Sequence, residues 1–370
     1  MSTPHLVVAK LGTTTLVDEA GSLDRTFIRS LCEQIATLNG EGTRVVLVSS
    51  GAAAAGREAF GFTERPHDIE TLQACAAAGQ ANLTRAYADV LAERGIPCGQ
   101  VLLTRRDLTD REVYLNARNT LMRLLELGAV PVVNENDTLS VTEFTFGDND
   151  MLGAIVAALV GADLYVVLSD VEGLYTADPL TNADAELVSR VTEVDAHVSA
   201  MAGDTSTAYG KGGMASKLKA ARAMLAAGIP MVVCRGRREN VLVDVVHGEP
   251  IGTRFEAPEG SPHESGRKLW IGLAEVPRGS ITLDAGATRA VLSQGASVLP
   301  VGVTAIEGDF SAGDVVNVLN PEGDVIGRGV CRYSAEEMTR VRGLKLDVIA
   351  RFLGEERAQV AVHRDELLVF

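Results

Sequence analysis

The chain has 370 residues, 46% hydrophobic and 22% charged, ordinary proportions for a globular protein long enough to hold two separate cores. Its formal net charge of −15 argues against a broad nucleic-acid footprint, because backbone phosphates are bound chiefly by clustered Lys and Arg. Cys32, Cys75, Cys98, Cys234 and Cys331 are scattered without a C-x-x-C pair, which speaks against a disulfide framework or a zinc site and fits a reduced cytoplasm.

Met1 to His5 show no basic region leading into an apolar core, and the most apolar stretch, Met151 to Leu168, is interrupted by Asp163. Neither a signal peptide nor a membrane span is expected. In chain order, Leu6–Val8, Val45–Val48, Val101–Leu103, Val130–Val133, Leu164–Leu168 and Met231–Val233 predict strands buried on both faces. Between them, Leu23, Phe27, Ile28, Leu31, Ile35 and Leu38 recur at helical spacing, and Tyr114–Leu127 and Ala215–Ala227 carry similar stripes. The alternation predicts an α/β fold with a mostly parallel central sheet sandwiched by helices.

The alternation stops near Glu256. Residues Glu256 to Lys268 are rich in Pro, Gly, Ser and charge, which places a first domain at 1–257, a linker at 258–268 and a second domain at 269–370. Beyond the linker, Ile281–Leu283, Val315–Leu319 and Val325–Ile326 are short strand-like runs separated by glycines, predicting a small, mostly β domain.

Ligands of open α/β sheets sit at the carboxyl ends of the strands. There the first strand delivers Lys10, Gly12 and Thr13, the second Ser49-Ser50-Gly51-Ala52, the fourth Asn134-Glu135-Asn136-Asp137, and the fifth Ser169-Asp170. Gly147-Asp148-Asn149-Asp150 opens the helix from Met151, and Lys211-Gly212-Gly213-Met214-Ala215-Ser216-Lys217 precedes the last helical stripe. Each loop alone reads as an ordinary turn or cap; their convergence on one sheet edge points to a site. Two glycine-flanked lysines suit negative charge on a transferring phosphoryl group. A carboxylate acceptor, with a free pKa near ~4.3, is already an anionic nucleophile at neutral pH and needs no base. Gly210-Lys211 is followed by Gly212 instead of Ser or Thr, so no P-loop is present, and no G-x-G-x-x-G follows a strand.

The ordered set Val7–Thr13, Ser49–Glu58, Leu102–Arg105, Tyr114–Leu121, Pro131–Asp137, Phe146–Asp150, Gly173–Pro179 and Gly212–Lys217 resembles the glutamate-phosphorylating branch of the amino acid kinase family, in its long form with a C-terminal PUA domain. The resemblance implies the amino acid kinase fold and an ATP-dependent phosphotransferase acting on a carboxyl group. Its product would be L-glutamyl 5-phosphate with ADP, the first step toward proline, with Mg²⁺ carried chiefly by the phosphates.

Lys10 and Lys217 would flank the transferring group, Asp150 would orient both lysines, and Gly12 and Gly51 would offer backbone N–H groups. Ser50, Asp137 and Asn149 would bind glutamate, with Asp137 facing its α-ammonium, while Asn134 and Asp148 belong to the same substrate loops. Ser169, Asp170 and Lys211 to Lys217 would hold ATP, and no protein metal ligand is implied. Ser169 and Lys211 stand where threonine is common in the family; Lys211 either pairs with phosphate or is a solvated loop residue. The resemblance also implies a cytoplasmic homo-oligomer, dimer or tetramer, inhibited by proline.

In the second domain, Gly279–Ala287, Leu299–Val303, Gly308–Phe310 and Gly327–Tyr333 resemble a PUA fold, which elsewhere binds RNA. From Gly266 onward there are 12 Lys plus Arg against 14 Asp plus Glu, so the basic stripe of an RNA reader is missing. An RNA-binding PUA protein and another carboxylate kinase remain the alternative readings.

Overall fold

The computed structural model describes residues 3–104, 111–139, 149–179, 181–182, 184–202, 213–258, 260–261 and 277–369. The chain divides into two compact units, Met1–Pro262 and His263–Phe370.

The first unit is built on an eight-stranded sheet in the order β3-β4-β2-β1-β5-β7-β8-β6. Its strands are β1 (Leu6–Leu11), β2 (Arg44–Ser49), β3 (Cys98–Leu103), β4 (Val130–Glu135), β5 (Leu164–Ser169), β6 (Arg190–Val191), β7 (Met231–Arg235) and β8 (Thr253–Phe255). All neighbours pair in parallel except β7 with β8, so the sheet is mixed only near one edge. Central β1 and β5 are buried on both faces because helices cover each side, whereas β3, at the opposite edge, is only half-buried, which corrects the expectation of a fully buried strand there.

Several strands run further than their apolar runs suggest. Ladder bonding continues past the β-branched residues as far as Leu11, Ser49, Glu135, Ser169 and Arg235. Lys10 is therefore a ladder residue, registered against Val48 of β2 and Val167 of β5, and is held far more rigidly than a loop lysine.

The apolar stretch from Met151 separates into the helix Asn149–Val160, buried on nearly all sides, and β5. A helix apolar all round belongs in an interior. Asp163, between them, has a structural use: its Oδ2 accepts the His5 and Leu6 backbone N–H groups at 2.8 and 2.9 Å, fixing the start of β1.

The helix Ile69–Glu93, of 25 residues, packs against the helix Ala52–Ala59 through two glycines. A Cβ on Gly56 would land on the Cys75 carbonyl oxygen, and one on Gly79 on the Ala52 carbonyl oxygen, so the two backbones are in direct contact. Gly79→Ala is expected to lower stability by about 3 kcal/mol, since no flexible side chain can give way; an unchanged urea midpoint would contradict this.

The second unit carries a five-stranded sheet, β10-β9-β11-β12-β13, formed by β9 (Gly279–Leu283), β10 (Val303–Gly308), β11 (Val315–Leu319), β12 (Val325–Cys331) and β13 (Val362–Val369). Its own core includes Ile281, Leu283, Val316, Val318, Met338 and Ile349. Among the described residues no helix is long and apolar enough to cross a membrane.

Candidate active site

Lys10, near the carboxyl end of β1, and Lys217, in the first turn of the helix Met214–Ala227, meet at Asp150 in the first turn of Asn149–Val160. Lys10 Nζ pairs with Asp150 Oδ1, and Lys217 Nζ lies 3.1 Å from Oδ2. The three groups are almost dry, with Asp150 0% and both lysines 5% exposed. Burial alone would raise the Asp150 pKa, but the Lys10 and Lys217 ammoniums outweigh it and hold the carboxyl below the usual carboxylate range. The cluster carries one net positive charge, and a polyphosphate would supply the balancing anion. Tyr165 donates to the Asp150 backbone carbonyl at 2.8 Å, which pins this turn to β5.

Next to this cluster lies an amide network. Asn149 Nδ2 is 3.0 Å from the Ser49 carbonyl oxygen, 2.9 Å from Ser50 Oγ and 3.0 Å from Asn134 Oδ1. Asn134 Oδ1 also accepts the Glu135 N–H at 2.9 Å, and its Nδ2 donates to Gln80 Oε1 at 2.8 Å. Gly51 has φ 93°, in the left-handed region that favours glycine, and there it turns the chain from β2 into the helix Ala52–Ala59. Asp137 borders a cleft of about 280 Å³ together with Gln80, Gln100, Leu102, Glu135 and Thr138.

At the end of β5, Ser169 donates to Asp170 Oδ1 at 3.0 Å, with Ser169 buried and Asp170 exposed. Gly213 caps the helix Met214–Ala227 in extended conformation, and Ser216 N–H returns to its carbonyl at 3.1 Å. This helix start, carrying Met214, Ala215, Ser216 and Lys217, has the polarity that favours phosphate.

Residues 5–235 match the amino acid kinase family, and residues 279–353 match the PUA domain. The chain belongs to the amino acid kinase family. Three relatives bear the name glutamate 5-kinase. That of Synechococcus sp. (strain JA-3-3Ab) is 45% identical over 99% of this chain and 98% of its own length. That of Microcystis aeruginosa (strain NIES-843 / IAM M-2473) is 44% identical over 98% and 96%. That of Serratia marcescens is 44% identical over 100% of both.

Within this amino acid kinase chain, β1, β2, β4, β5 and the helix Asn149–Val160 bring together Lys10, Ser50, Gly51, Asn134, Asn149, Asp150 and Ser169. Gly12 opens a short turn, and its N–H faces the Leu168 carbonyl at 3.5 Å, the outer limit of a hydrogen bond. Asn134 has both ends of its amide engaged by protein groups. Asp148, Lys211 and Gly212 lie outside the described residues. Gln80 was missed by the motif reading, although its place on the buried face of a helix, in step with Ala76, Gly79, Leu83 and Tyr87, is itself a signal: a buried amide must find partners.

The cysteines are no part of this chemistry. Burial pushes the Cys32 and Cys234 thiols up to about 12, so neither supplies a thiolate.

Proposed function

We infer that this chain transfers the γ-phosphate of ATP to the side-chain carboxylate of L-glutamate, giving L-glutamyl 5-phosphate and ADP, the first committed step toward proline. The observation that carries the reading is the dry Lys10–Asp150–Lys217 cluster beside the Asn149–Ser50 network. A bare phosphate sensor would have no use for two buried lysines locked on one carboxylate; phosphoryl transfer does.

In this mechanism a side-chain carboxylate oxygen of glutamate attacks the γ-phosphorus. The new C–O–P linkage forms as the bond to the β,γ-bridging oxygen breaks, and the electron pair leaves with ADP. The nucleophile is already ionised, so no general base is required. Lys10 and Lys217 take up the charge growing on the phosphoryl and bridging oxygens, and Asp150 keeps both ammoniums in place before the reaction begins, so little reorganisation is needed. Ser50 and Asp137 provide a donor for a carboxylate and an acceptor for the α-ammonium. Ser169, Asp170 and the Gly213–Lys217 turn hold the nucleotide. ATP would carry Mg²⁺ chiefly on its own phosphates, because Mg²⁺ keeps several waters and takes few protein ligands.

The reading extends to a kinase domain at 1–257, a linker at 258–268 and a PUA domain at 269–370, to a cytoplasmic homo-oligomer, and to proline inhibition that glutamate relieves. Its central test is incubation with ATP, Mg²⁺ and hydroxylamine. Glutamate is expected to give γ-glutamyl hydroxamate, because hydroxylamine captures an acyl phosphate. Product with another carboxylate but not with glutamate would overturn the substrate, and RNA binding without any hydroxamate would overturn the enzyme class.

A further inference from the structure

The donor and acceptor roles along the amide network follow from one fixed point. The Glu135 backbone N–H can only donate, so the Asn134 atom 2.9 Å from it is the oxygen, and the other end of that amide is the nitrogen. The Gln80 atom 2.8 Å from Asn134 Nδ2 must then be its oxygen, which leaves Gln80 Nε2 to donate to Thr84 Oγ1 at 3.2 Å. On the other side, Asn149 faces Asn134 Oδ1 and the Ser49 carbonyl, both acceptors, so its amino group lies there and also approaches Ser50 Oγ at 2.9 Å. An amide nitrogen does not accept, so Ser50 cannot donate to Asn149; its oxygen shares the amino group with the other two acceptors, and its hydrogen is left for something else.

We propose that Gln80 is a positioning residue: through Asn134 and Asn149 it commits the Ser50 hydroxyl to donating toward the substrate, which selects a carboxylate over a neutral amide nitrogen or an ammonium at that point. The proposal rests on the glutamate reading of the site. Gln80 and Asp137 line the same cleft, so one helix residue sets the donor end of the substrate site while sharing a wall with its acceptor end. Without an acceptor at position 80, Asn134 Nδ2 is buried with nothing to bond. The amide then swings to find an acceptor and withdraws its oxygen from Asn149. Asn149, left with the Ser49 carbonyl as its one firm acceptor, loses its second anchor and is free to rotate, and the Ser50 hydroxyl loses its fixed direction.

Three variants test this against wild-type hydroxamate formation with glutamate, measured first; no product from the wild type would defeat the function reading, whereas a change confined to the variants speaks only to Gln80. Gln80→Met keeps the length but removes the acceptor, and is expected to raise the glutamate KM at least about tenfold while the ATP KM stays within about twofold. In a Ser50→Ala background the same change is expected to add nothing, because the hydroxyl it orients is gone. Gln80→Glu keeps an oxygen facing Asn134, and the Thr84 hydroxyl can donate to it, so most of the glutamate affinity is expected to return. A glutamate KM within twofold of wild type in Gln80→Met, equal rises in both KM values, additivity with Ser50→Ala, or no recovery in Gln80→Glu would each overturn the proposal. Should Gln80→Met fail to fold, Thr84→Val, at a half-buried position, loosens the Gln80 anchor; a two- to threefold selective rise in glutamate KM, of the order of one weakened hydrogen bond, supports the proposal and an unchanged one overturns it.

Discussion

Lys217→Met is expected to lower kcat for glutamate phosphorylation by about three orders of magnitude, the scale of a cation that stabilises a transferring phosphoryl group. Lys217 Nζ is held 3.1 Å from Asp150 Oδ2 in a site that excludes water, where charge stabilisation is far stronger than in solution. The folded state should tolerate the change, because Asp150 keeps its pairing with Lys10 and methionine replaces the buried stem of Lys217 with an unbranched apolar chain. The loss should therefore fall on kcat, with the glutamate KM altered much less, and steady-state kinetics at saturating ATP measure it. A kcat within tenfold of wild type would remove Lys217 from the reaction.

Asp150→Asn should be damaging in two ways at once. It leaves two buried ammoniums facing each other with no counter-ion, and breaking a buried ion cluster from one side costs about 3–5 kcal/mol. Both lysines then move apart, and kcat is expected to fall by at least about a hundredfold. ATP brings the missing anion, so nucleotide should raise the melting temperature of Asp150→Asn more than that of wild type. Equal ATP-dependent shifts in the two proteins would contradict the charge argument.

The pH dependence has a definite sign. The Asp150 pKa is lowered in the folded state, so its contribution to stability is complete above the unfolded value, near ~3.9, and drains away only as pH falls through the still lower folded value. Between about pH 5 and 8 the contribution should be flat.

Much of this site was legible in the linear sequence because its parts are local. Short β-branched runs bounded by glycine mark strands, and polar residues at strand ends mark a sheet edge that binds ligands, so Lys10, Ser50, Asn149 and Lys217 stand out without any coordinates. Gln80 did not stand out, because it sits in an alanine-rich helix and its partner Asn134 is 54 residues away. The engagement of Asn134 by protein groups on both sides was hidden for the same reason.

The sequence by itself determined the two-part organisation, the central strands and the residue types gathered at their ends, since these depend on hydrophobic periodicity and turn chemistry over a few residues. Only the tertiary structure decided that the strands extend to carry Lys10 into the ladder, that Asp150 lies between two lysines, and that a chain of amides runs from Gln80 to Ser50. Those facts rest on contacts between residues distant in the chain, whose distances and hydrogen-bond polarity are fixed by sheet register and helix packing rather than by any local preference.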